Sequence, residues 1–113
     1  MKYVMMFVET PEFAHELATM SESERDAAFA AVGRWFAEHD AKITHHVHLA
    51  PSHTATTMRL SGGGAEITDG PFVEGKEIVS GFAEVEVADL DEALAMARSW
   101  PACPVVELRP ADG

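Results

Sequence analysis

The stretch from Glu77 to Val87 constrains the fold more than any other part of the chain. Val79, Gly81, Ala83, Val85 and Val87 alternate with Ile78, Ser80, Phe82, Glu84 and Glu86. A period of two is the mark of a strand. The first set is small and apolar throughout, fit to lie under helices. The second mixes a large ring with carboxylates. Such a face meets either water or a second sheet across a partly polar cavity. Its large apolar residues favour the second sheet.

The other segments follow with short punctuation. Lys2–Val8 is a strand rich in β-branched and aromatic residues, closed by Thr10-Pro11. Ser21 and Glu24 form a capping box. Behind it Ala28, Val32, Trp35 and His39 share one helical face, and Asp40-Ala41 ends the helix. Ile43–Leu49 reads as a strand with Ile43, His45, Val47 and Leu49 on one side and Thr44, His46 and His48 on the other. The second set is expected on the open face and His45 beneath a helix. Ala55–Leu60 and Ala65–Thr68 flank Ser61-Gly62-Gly63-Gly64 as a hairpin. Asp89 and Glu92 open a second helix with the stripe Leu90, Leu94, Ala97 and Trp100, and Val105–Arg109 is the last strand. The predicted order is β-α-β-β-β-β-α-β. Without the hairpin it is the split βαβ of ferredoxin-like folds. The class is α+β, an antiparallel sheet with helices on one face and an inserted hairpin. The 113 residues hold no linker or repeat and read as a single domain, 1–113.

Nineteen acidic against eight basic residues leave a net charge of −11, with no Lys/Arg cluster. That charge argues against nucleic acid and anionic membranes as partners. No apolar run nears the roughly 20 residues of a membrane span. The apolar opening up to Val8 reads as a strand, not a signal peptide. The single cysteine, Cys103, excludes an internal disulfide and points to a reducing, cytoplasmic setting. Gly62-Gly63-Gly64 lacks the Lys-Ser/Thr of a phosphate loop. No cofactor is expected.

Three constellations could carry chemistry. Asp69 starts the turn Asp69-Gly70-Pro71-Phe72; it is an acid or base at a cavity mouth, or the cap of its own Asx-turn. His46 and His48, two apart on a strand, are half of a zinc, copper or nickel site or a solvated polar face. They are also candidates for an acid–base pair with Asp69 or Glu86, since imidazole exchanges protons near neutral pH. The expected catalytic set is Asp69, His46 and His48, with no resident metal. Phe72, Phe82, Glu86 and Arg109 are the expected substrate contacts on the same sheet face.

Several motifs together resemble the YCII-related, or DGPF-domain, family. They are Met1-Lys2-Tyr3-Val4-Met5-Met6, Ala55-Thr56-Thr57-Met58-Arg59, Thr68-Asp69-Gly70-Pro71-Phe72, Ser80-Gly81-Phe82, Val87-Ala88-Asp89-Leu90-Asp91-Glu92-Ala93 and Val106-Glu107-Leu108-Arg109-Pro110. The resemblance runs along nearly the whole chain. It implies a dimeric α+β barrel, two ferredoxin-like subunits with sheets face to face. It implies a homodimer with a small-molecule ligand, and either lyase, isomerase or dehalogenase-like chemistry on a His–Asp pair containing Asp69, or a non-catalytic accessory role beside a sigma factor. The sequence departs from the family pattern at His46-Val47-His48-Leu49-Ala50-Pro51, where a Gly-Glu usually stands, and at Ser99-Trp100-Pro101 and Gly75-Lys76. The polar lining is rewritten, so no relative's substrate carries over.

Overall fold

The computed structural model describes residues 1–71 and 77–112. Four antiparallel strands form one sheet in the order β2-β5-β1-β6: β1 (Lys2–Glu9), β2 (Ile43–His48), β5 (Ile78–Glu86) and β6 (Val105–Pro110). Between β2 and β5 the chain makes a separate two-stranded sheet, β3 (Thr56–Ser61) with β4 (Gly64–Asp69). Three helices complete it: α1 (Pro11–Thr19), α2 (Glu22–Glu38) and α3 (Leu90–Arg98). This is the expected ferredoxin-like α+β fold with an inserted hairpin.

Each helix starts where its chemistry allows. The Ser21 hydroxyl accepts from the Glu24 N–H at 3.2 Å, and the Glu24 carboxylate accepts from the Ser21 N–H at 3.1 Å. Asp89 caps α3 by accepting from the Glu92 N–H at 2.9 Å, while Glu92 accepts from the Ala88 N–H. Helix α1 is absent from the sequence reading, yet its signals are present. Thr10 accepts from the Phe13 N–H at 3.2 Å, and Pro11 takes the first turn, where a missing N–H costs nothing.

The core lies between the sheet and the helices. Tyr3, Met5 and Phe7 from β1, Ala83 and Val85 from β5, Val87, Trp35 from α2, and Ala93 and Met96 from α3 are buried there with Cys103. Trp35 ties the layers together. Its indole N–H donates to the Met96 carbonyl at 3.1 Å and to Ser99 Oγ at 3.0 Å. Its ring meets Phe7 and Trp100 edge-on, at 6.0 and 5.0 Å between centroids. Phe7 and Trp100 stack at 4.0 Å. Burial pushes the Cys103 thiol above its ordinary pKa, partly offset by the N–H that Trp100 donates to its sulfur at 3.4 Å. Cys103 is therefore a core residue and not an activated nucleophile.

Gly81 is a steric requirement of the sheet. A Cβ there would stand 2.6 Å from the Val47 carbonyl oxygen of β2. Gly33, inside α2, has open space around the same position. Gly81→Ala should therefore destabilise by about 1–3 kcal/mol through overpacking, and Gly33→Ala should stabilise by about 0.5–1 kcal/mol. Urea titrations of both variants check this; a neutral Gly81→Ala would show that β2 does not press on this position.

The caps also predict an acid response. The backbone N–H of Ser21 chiefly lowers the Glu24 carboxyl, and Lys42 Nζ, 3.0 Å away, chiefly lowers that of Glu92, each from an ordinary 4.5. A carboxyl held lower in the folded chain than in the unfolded one stabilises above the unfolded pKa. That contribution is lost as pH falls through the folded value. Stability should drop from about pH 4.5 downward, and the drop should be shallower in Glu24→Gln and Glu92→Gln. Denaturant midpoints between pH 6 and pH 3 measure it.

Candidate active site between sheet and helices

A register shift in β2 decides where the histidines point. Ile43 pairs with Val85, then the ladder slips, and His45 pairs with Glu84, His46 with Ala83, Val47 with Phe82 and His48 with Gly81. Residues opposite one another in a ladder share a face. Ile43, His46 and His48 thus lie on the helix side with Ala83 and Gly81. His45 and Val47 lie on the open side with Glu84 and Phe82. The sequence reading had this reversed: it put His45 beneath a helix and His46 and His48 beside Phe82 on the open face. An unbroken period of two cannot foresee an irregularity that moves the rest of the strand to the opposite side.

The contacts agree with the ladder. The His46 ring lies 4.3 Å from Phe36 of α2, and the His45 ring lies 6.0 Å from Phe82. His46 and His48 border a cavity of about 360 Å³ between α1, α2 and the sheet. Its walls are aromatic: Phe7, Phe13, Phe29, Phe36 and Trp100. Phe29, 65% exposed, stands at the edge. Glu9, Ser80 and Cys103 add polar atoms. The Ser80 hydroxyl donates to the Phe7 carbonyl at 3.2 Å. Gly81, opposite His48 in the ladder, also lines the cavity.

The other expected site residues lie elsewhere. Asp69 ends β4 opposite Thr56, exposed, and is not among the residues lining the cavity. Its turn is held by backbone: the Gly70 N–H donates to the Ala55 carbonyl at 2.7 Å, and Thr57 Oγ1 donates to the Gly70 carbonyl at 2.6 Å. The Asp69 carboxylate makes no hydrogen bond to another described residue. Phe82, Glu86 and Arg109 lie on the open side of the sheet, opposite the cavity. Glu86 accepts from the N-terminal ammonium at 2.9 Å, and Arg109 pairs with Glu107. Phe72 falls outside the described residues. One chain therefore does not gather Asp69, Phe82, Glu86 and Arg109 around His46 and His48.

Sequence reasoning missed the cavity walls. Their signal was available: α2 carries two neighbouring stripes, Ala28-Val32-Trp35-His39 and Phe29-Val32-Phe36. The first makes the core contact through Trp35 and the second faces the cavity. Among the described residues no three His, Cys, Asp or Glu side chains converge as a metal site requires. What the arrangement offers is an aromatic-lined slot open to solvent, with two exposed imidazoles on one rim, about 7 Å apart along the strand. It can enclose a small flat molecule and exchange a proton with it.

Comparison with known proteins places this fold. The chain matches a solved structure of 5-chloro-2-hydroxyhydroquinone dehydrochlorinase from Burkholderia phenoliruptrix AC1100, in complex with 2,5-dihydroxybenzoquinone, with a TM-score of 0.56. The match covers 99% of this chain and 94% of that one at 13% identity, which is a likeness of fold. An uncharacterised protein of Rhizobium meliloti strain 1021 is 39% identical over 85 residues, 72% of this chain and 68% of the relative. The YCII-related domain family matches residues 1–108. A ferredoxin-like sheet, an inserted hairpin and a match along almost the whole length agree, and the chain belongs to the YCII-related domain family.

Proposed function

We propose that the chain binds a small, flat, mostly apolar molecule with a few polar substituents in the helix-side cavity. His46 and His48 exchange protons with it there. The single observation that carries this reading is the aromatic-walled space with two imidazoles on its rim. The chemistry that fits is acid–base: a double-bond shift, or an elimination in which an imidazole takes the proton and the leaving group departs with its bonding pair. Neither needs an oxidant. The dehydrochlorinase of like fold is bound to a hydroxylated quinone, a molecule of the size and flatness this slot accepts. Asp69 has no part in this reading, because it does not line the cavity.

A second reading is a binding module without turnover. It is favoured by one observation: neither the His46 nor the His48 ring has a hydrogen-bond partner among the described residues to fix its tautomer. A general base is usually oriented by such a partner.

We also read the chain as a homodimer. The open side of the sheet carries Val4, Met6, Val8, Val47 and Phe82, flanked by Glu84, Glu86, Glu107 and Arg109. An apolar centre with a charged rim is the composition of an interface. No helix among the described residues is long and apolar enough to cross a membrane. A lone buried thiol suits a cytoplasmic protein.

Titrating 2,5-dihydroxybenzoquinone and chlorinated hydroquinones against the fluorescence of Trp100 and Trp35 tests the site. Binding should quench the signal. Phe36→Ala should weaken it by about tenfold or more, and Asp69→Asn should leave it unchanged. If turnover occurs, His46→Gln and His48→Gln should cut it by about 100-fold or more while affinity changes less. Binding without product in the wild type would select the second reading. No quenching by any of these rings would remove the cavity as the site.

A further inference from the structure

The hairpin β3–β4 has two unlike faces. The register pairs Met58 with Ile67 and Leu60 with Ala65 on one side, and Thr57 with Thr68 and Arg59 with Glu66 on the other. The apolar side is bare: Met58 is 55% exposed, Leu60 79% and Ile67 61%. Among the described residues the hairpin pairs with no strand of the main sheet. A lone two-stranded hairpin is at best marginally stable in water. It also stretches the molecule. The radius of gyration is 16.2 Å, against about 13 Å for a compact chain of this length.

The same chain has another uncovered apolar surface, the open side of the main sheet. Val79 and Val105, both opposite Val8, are 42% and 37% exposed there. Four strands spaced about 4.8 Å, each about 20 Å long, give that face about 400 Å² in projection. A stable interface takes about 800 Å² of accessible surface per partner. The sheet face alone is small for this; the hairpin adds about 200 Å² in projection. A foreign partner shaped for one of these surfaces leaves the other bare. A two-fold copy covers both in one operation.

We propose that β3–β4 is an arm whose apolar face packs on a second copy of this chain, enlarging the dimer interface beyond the sheet face. The inference rests on the homodimer reading above, and the experiment separates the two. Light scattering and sedimentation measure the dimer constant of the wild type and of Met58→Thr/Leu60→Thr/Ile67→Thr. A photo-cross-linking residue placed at position 60 reports what the arm touches. The expected result is a dimeric wild type, a dissociation constant raised about 100-fold or more in the triple variant, and a cross-linked species of twice the chain mass. The hairpin lies outside the buried core, so the circular dichroism of the main fold should persist. An unchanged constant with no cross-link between copies overturns the arm and leaves the dimer standing. A monomeric wild type overturns both. A cross-link that forms only to a different protein overturns the arm as a contact between copies.

Discussion

The structure depends on one aromatic block. Trp35 is the single buried residue of α2, and its indole N–H binds the end of α3. Phe7 of the central strand and Trp100 beyond α3 close around it. Sheet, α2 and the segment leading to β6 are thus fastened at one place. Removing so large a buried side chain costs about 3–5 kcal/mol, a large share of the roughly 5–15 kcal/mol that holds a domain folded. The block also serves the site. Phe36 meets Trp35 and Trp100 edge-on, and Phe7, Phe36 and Trp100 line the cavity beside the core. Rings already held by the core wall the cavity, which keeps a binding slot in shape without a ligand.

A second constraint selects which groups enter that slot. The slip between Ile43 and His45 turns His46 and His48 toward α2 and sends His45 to the open side. Close contact between the Gly81 backbone and the Val47 carbonyl seats β2 in that register, and only a residue without a Cβ permits it. Fold and chemistry therefore meet at Gly81. It admits the backbone of the neighbouring strand, which carries His48 to the rim of the cavity.

The remaining surfaces follow from a thin molecule. Its extents are 48 × 41 × 18 Å, one layer of sheet and one of helix. One sheet face and one hairpin face are left without cover. The hydrophobic effect favours covering both, and both are distinct from the aromatic-lined cavity on the helix side.

Much of this was legible in the chain. The alternation in β5 from Gly81 to Val87, the Ser21 and Asp89 caps and the Gly-rich hairpin turn are local signals, and local signals set local structure. A bulge against β1 at Ser80 breaks the alternation and puts Val79, expected under the helices, on the open side. The local signals were enough for the ferredoxin-like order, and the short motifs from Met1 to Pro110 were enough for the family. The Thr10-Pro11 cap of α1 and the Phe29-Val32-Phe36 stripe were equally local and were passed over in reading. The facing of His46 and His48 was of another kind. It turns on a one-residue slip set by contact between β2 and β5, residues some 35 apart in sequence, and period counting carries no information about such a contact. The separation of Asp69 from the cavity is tertiary for the same reason: among the described residues the two strands of the hairpin that bears it pair with each other and not with the main sheet, so local signals do not fix where its end comes to rest.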